Sequence, residues 1–141
     1  GIGSLILQLP LGTLSDRIGR KPVLIACGMI GGVCFLAVPA AGNRIWLLCV
    51  LFVVAGGVVG SFFSLGLAYA ADVLPRAVLP AANLAASVHF SIGSILGPAM
   101  GGYGIRYVSA HSIFLFLGFA HLLFALSGFL FRPKADPVVE T

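Results

Sequence analysis

Long runs without a formal charge govern what this chain can become. Residues 22–41, 45–71, 81–104 and 112–131 contain no Lys, Arg, Asp or Glu. Each is close to, or longer than, the roughly 20 residues that cross a bilayer as a helix. The charges are gathered between these runs. Segment 12–21 alone holds Asp16, Arg17, Arg20 and Lys21, a density that hydrocarbon excludes, while its apolar flanks have no better solvent than lipid. The pattern predicts an all-α, polytopic membrane helix bundle whose helices are joined by short water-side turns, with segment 12–21 as the first of them.

Composition removes the alternatives. The chain is 60% hydrophobic and 9% charged, against about a quarter charged in a soluble domain. A net charge of +4 could suit nucleic acid, but the basic residues are scattered over short turns instead of forming one face. They are explained by membrane orientation, so the bilayer is the expected partner and nucleic acid is not. Cys27, Cys34 and Cys49 all fall inside apolar spans without a Cys-x-x-Cys pair and read as small buried hydrophobes. There is no nucleophile elbow, metal-ligand spacing or phosphate loop, so neither an enzyme nor a cofactor or metal is implied.

The turn at 12–21 has residues suited to its position. Gly12 would let two helix backbones approach closely. Asp16 would accept from free N–H groups at a helix start, or pair with Arg17 or Arg20. Gly19 supplies the backbone freedom to reverse direction, and Pro22 fits the first position of the following helix.

Upstream, residues 1–13 read as the end of a helix that begins before Gly1, with Ser4 and Gln8 on one face. Gln8 either lines a path or hydrogen-bonds a neighbouring helix. Residues 22–41 are apolar nearly all round, with Gly28 and Gly32 as one small-residue contact, which suits a lipid-facing outer helix. A turn at 42–44 follows, with Trp46 as an interfacial anchor. The helix at 45–71 gathers Gly57, Ser61, Ser64 and Ala68 on a narrow face that either packs against another helix or borders a water-filled cavity.

Residues 72–80 form the next expected loop, and Pro80 suits the first turn of the helix after it. That helix, 81–104, places Asn83, Ser87, Ser91, Ser94, Gly97, Pro98 and Gly101 on one stripe, which implies close packing and interhelical hydrogen bonds. His89 is the only ionisable side chain well inside this span. It is either a proton or substrate group or a neutral, hydrogen-bonded structural histidine. The Phe- and Leu-rich span at 112–131 reads as a second outer helix, with His121 satisfied locally. A short tail at 133–141 closes the chain.

Gly12, Asp16, Arg17, Gly19, Arg20 and Lys21 together match the loop signature of the major facilitator superfamily, Gly-x-x-x-Asp-Arg/Lys-x-Gly-Arg/Lys-Arg/Lys, without departure. The chain thus resembles that family, and is similar to its uncharacterised bacterial permeases and drug-efflux-like members. Gly93, Gly97, Pro98, Gly101 and Gly102 also resemble the Gly-Pro motif in the fifth helix of facilitator antiporters. The fuller motif wants a glycine where this sequence has Leu84, so a packing kink is the reading preferred over antiport.

The resemblance implies a twelve-helix fold of two halves rocking about a central site. The signature loop joins the second and third helices of either half. The fourth helix of the first half usually carries an intramembrane arginine, and 45–71 has none, so residues 1–132 are assigned to helices eight to twelve: one partial and four complete spans. The same comparison puts the eighth and eleventh helices against the other half, the tenth beside the cavity, and the ninth and twelfth outside.

The expected function is a fragment of a secondary transporter that moves a small-molecule substrate by alternating access, with proton coupling open. Its partner is the missing N-terminal half. A transporter-like receptor is the alternative. In the family comparison segment 12–21 is a conformational latch, with Asp16 at a helix N-terminus. Gln8, Ser61, Ser64, Asn83, Ser87 and His89 are the candidate pathway or coupling residues. The excess of basic residues around 12–21, at Arg76 and at Arg132 and Lys134, over Arg44 and Arg106, orients the signature loop and tail to the cytoplasm of a bacterial inner membrane.

Overall fold

The computed structural model describes residues 2–131. The expected tail at 133–141, with Arg132 and Lys134, lies outside them. Five helices run in order, α1 (Ile2–Ile18), α2 (Arg20–Ala41), α3 (Ile45–Val73), α4 (Leu79–Tyr107) and α5 (Ser112–Leu130), with a 3₁₀ turn, Arg76–Val78, before α4. Among the described residues there is no strand. Four stretches, those of α2 to α5, are long and apolar enough to cross a membrane. At 1.5 Å per residue α2 spans about 33 Å and α3 and α4 about 43 Å each, so the last two tilt or project beyond the hydrocarbon.

The turns are shorter than the charge pattern suggests. Segment 12–21 is helical except at Gly19, whose φ of 97° lies where only glycine is unstrained. The Gly19 N–H donates to the Ser15 carbonyl at 3.0 Å, closing α1. Water, not a particular backbone shape, is what Asp16 and Arg17 require, so the last turn of α1 accommodates both. Pro22 is accordingly the third residue of α2, not the first, and Asp72 belongs to the last turn of α3, not to a loop. Pro80 does fall in the first turn of α4, and the second reversal, at 42–44, turns on Gly42 with φ 56°.

Packing follows missing side chains. A Cβ on Gly3 would strike the Val53 carbonyl, and one on Gly57 would strike Leu7, so α1 and α3 lie backbone to backbone. On α2, a Cβ at Gly32 would come within 2.7 Å of Leu122, and one at Gly118 of α5 within 2.6 Å of Leu36. Gly28 sits equally close to Ala125 and Phe124. Without a hydrophobic drive in lipid, such approaches are where dispersion contacts are gained.

Val23, Leu24 and Cys27 of α2 form the main buried cluster with Val58 and Leu65 of α3. α2 is thus packed on two sides within the described residues. Its glycine and small-residue faces are enclosed by α3 and α5, and a strip containing Met29, Ile30 and Val33 stays exposed. On α5, Phe116, Phe119 and Phe129 are exposed.

Candidate functional site

The site is assembled where α1 and α3 end and α2 begins. With only Gly19 between the helices, Asp16 and Arg20 stand four residues apart, and Arg20 Nη2 donates to Asp16 Oδ1 at 2.9 Å. Nη1 of the same guanidinium donates to both carboxylate oxygens of Asp72, at 2.8 and 2.6 Å. A planar, permanently charged fork is suited to holding two carboxylates at once. One side chain thereby ties the end of α1, the start of α2 and the end of α3.

Asp16 and Asp72 are the only carboxylates among the described residues. Their side chains are 64% and 50% exposed, against 26% for Arg20. Pairs this open to water add little to stability, so the triad is better read as fixing geometry than as holding the fold. The Nε of Arg20 is buried without a hydrogen-bond partner among the described residues.

The other signature residues surround this triad. Asp16 pairs with Arg20, one of its two expected partners, and caps no helix among the described residues: the N-cap of α2 is Gly19, without a side-chain capping bond. Arg17 is exposed. Lys21 Nζ donates to the carbonyl of Phe131, bringing the end of α5 to the same side. Gly12 borders open space, with nothing within 4 Å of where its Cβ would be. The close approach expected of it occurs at Gly3 and Gly57 instead.

A cavity of about 190 Å³ runs between α1 and α3, lined by Gln8, Gly12, Ser61, Ser64 and Ala68 and reaching Asp16 and Arg20. Gln8 Nε2 donates to Ser64 Oγ at 3.1 Å, the interhelical bond expected for it. On the small face of α3, Gly57 and Ser61 are buried, and Ser61, Ser64 and Ala68 all line the cavity. Ser61 turns its hydroxyl back to the Gly57 carbonyl at 2.8 Å.

On α4 the hydroxyls of the stripe bond locally. Ser87, Ser91 and Ser94 donate to the carbonyls of Asn83, Ser87 and Phe90, all within α4. No interhelical bond forms there among the described residues, because the i−4 carbonyl is always in reach of a helical serine. Of Gly93, Gly97, Gly101 and Gly102, only Gly101 is closely met, by Ile113 of α5, and α4 continues unbroken through Pro98. His89 is exposed, with Nδ1 2.7 Å from the Ala85 carbonyl. His121 is satisfied locally as expected, with Nδ1 2.7 Å from the Leu117 carbonyl, and its ring lies between Phe35 and Phe62.

Asp72 is the member of the triad that sequence reading left in a loop. Its signal was present: helix alternation returns the end of the third helix to the side of Arg20.

Apolar spans with charges gathered at their ends, and a charged triad linking those ends, define a multi-pass membrane protein. The chain belongs to the Major Facilitator Superfamily, a family of membrane transporters, whose sequence model matches residues 1–141. It is 39% identical over 140 residues to an uncharacterised transporter of this type, YfkF of Bacillus subtilis, covering 99% of this chain and 36% of that protein. It is 34% identical over 105 residues to the class C tetracycline resistance protein of Escherichia coli, covering 74% of this chain and 26% of that one. With the class H tetracycline resistance protein of Pasteurella multocida the identity is 29% over 121 residues, covering 86% and 30%. The chain thus spans about a quarter to a third of the length of these relatives. No solved structure matches it.

Proposed function

We propose that the chain is the portion from helix eight to helix twelve of a secondary active transporter that moves a small organic solute by alternating access. The Arg20 bridge between Asp16 and Asp72 is the observation that carries this reading. It holds Asp16 and the exposed Arg17 at an edge of α1 that the described residues leave uncovered. That edge meets the remainder of the carrier in one transport state and parts from it in the other, and only such a difference between states can bias an alternating-access equilibrium.

The polar wall of Gln8, Ser61 and Ser64, and the open face of α4 with Asn83, Ser87 and His89, turn toward the pathway and the other half. Gly93, Gly97, Pro98 and Gly102 are the part of α4 against which that half packs. The tetracycline resistance named for two relatives supports export as the direction. Arg17, Arg20, Lys21 and Arg76 on one side, against Arg44 and Arg106 on the other, support a cytoplasmic place for the triad.

The test is Asp16→Asn in the complete carrier, reconstituted in vesicles. Transport falls while membrane insertion and yield hold. Unchanged transport would remove the latch.

A further inference from the structure

Lys21 is shared by two apolar grooves at the water edge of the bundle. The inner one, about 490 Å³, opens between α2, α3 and α5 and is lined by Ile25, Phe62, Tyr69, Phe124 and Phe131 besides Lys21. The outer one, about 440 Å³, runs between α2 and α5 past Ile25, Ala26, Met29 and Phe129, again reaching Lys21. Lys21 and Ile25 are the wall common to both. The arrangement is a cation at the end of a forked apolar slot.

Among the described residues the charges nearby do not balance: Arg20 engages both carboxylates, and neither Lys21 nor Arg17 pairs with an acid there. Lys21 gives one N–H to the Phe131 carbonyl, and an ammonium carries three, so two remain for an anion. Lys21 is the second residue of α2, at the charged end of that span, the level at which lysines meet lipid headgroups. A free phosphate would leave both grooves empty, and a neutral lipid would leave the cation unmet.

We propose that Lys21 and its two grooves bind one anionic phospholipid, with the phosphate on Nζ and one acyl chain in each groove. The site lies beside the Arg20 triad on the same helix end, and its occupant bridges α2, α3 and α5.

The complete carrier containing this chain, purified in detergent, is titrated with phosphatidylglycerol and with phosphatidylcholine of matched chains, and bound lipid is counted by native mass spectrometry. One phosphatidylglycerol binds roughly five-fold more tightly than phosphatidylcholine, on the order expected for one lysine at a headgroup. Lys21→Gln abolishes that preference and Lys21→Arg keeps it. Gly66→Leu, which extends into the open space beside Gly66 in the inner groove, and Ala26→Phe, in the outer, each weaken binding several-fold. Equal binding of the two lipids, or an unchanged preference in Lys21→Gln, overturns the site. So does insensitivity to either groove variant, or displacement of the lipid by glycerophosphate, since either reduces the site to a surface contact with phosphate.

Discussion

Arg20 Nη1 lies 2.8 and 2.6 Å from the two carboxylate oxygens of Asp72, a residue 52 positions along the chain, while its Nη2 holds Asp16 at 2.9 Å. The guanidinium is thus shared between a neighbour one helical turn away and an acid that only the fold brings near. Three helix ends are held in register by a group that contributes little to folding. That separation of roles is what a conformational latch requires, because a contact that stabilised the fold strongly would resist being remade in each transport cycle.

Charge alone does not reproduce this geometry. Lysine at position 20 keeps the positive charge but offers a single ammonium in place of a fork. Arg20→Lys in the complete carrier is therefore expected to lower the transport rate by roughly five-fold or more, in the range of ordinary coupling between sites, with membrane insertion unchanged. Solute flux into proteoliposomes checks it.

The glycines divide into two groups with opposite expectations. A side chain at Gly32 or Gly118 would press into the α2–α5 contact, and overpacking of this kind costs about 1–3 kcal/mol. Gly32→Leu should lower the thermal midpoint in detergent clearly. Gly56→Ala, where a Cβ would meet nothing, should leave it nearly unchanged. A scan of tryptophan fluorescence or of aggregation against temperature separates the two.

His89 has Nδ1 against the Ala85 carbonyl, and no carboxylate of the described residues lies on α4 to pair with it. His89→Ala is expected to leave the pH profile of transport in place. A profile displaced by that variant alone would assign His89 a proton-carrying role.

How much of this was legible in the sequence depends on which cost was large. The spans at 22–41, 45–71, 81–104 and 112–131 were readable because a charge in hydrocarbon is expensive, and α2 to α5 cover them except for Phe131. The extent of the first turn was not, because a water-facing helix end costs Asp16 and Arg17 nothing and a single positive-φ residue, Gly19, is enough to separate two helices. Gln8 was readable as a polar group needing a neighbour, but Ser64 as that neighbour was not. On α4 the projection carried no information on the direction of the serine hydroxyls, which turn back to their own backbone. Asp72 required topology before its partner could be named, and helix alternation supplied no more than the side on which to look.

The most direct test of the latch is a double-mutant cycle on Arg20 and Asp72 in the complete carrier, with transport rate as the readout. Arg20→Gln and Asp72→Asn are each predicted to impair transport, and the double variant to be no worse than the poorer single one, since both remove the same contact. Impairments that multiply, or a normal rate in either single variant, would contradict the account.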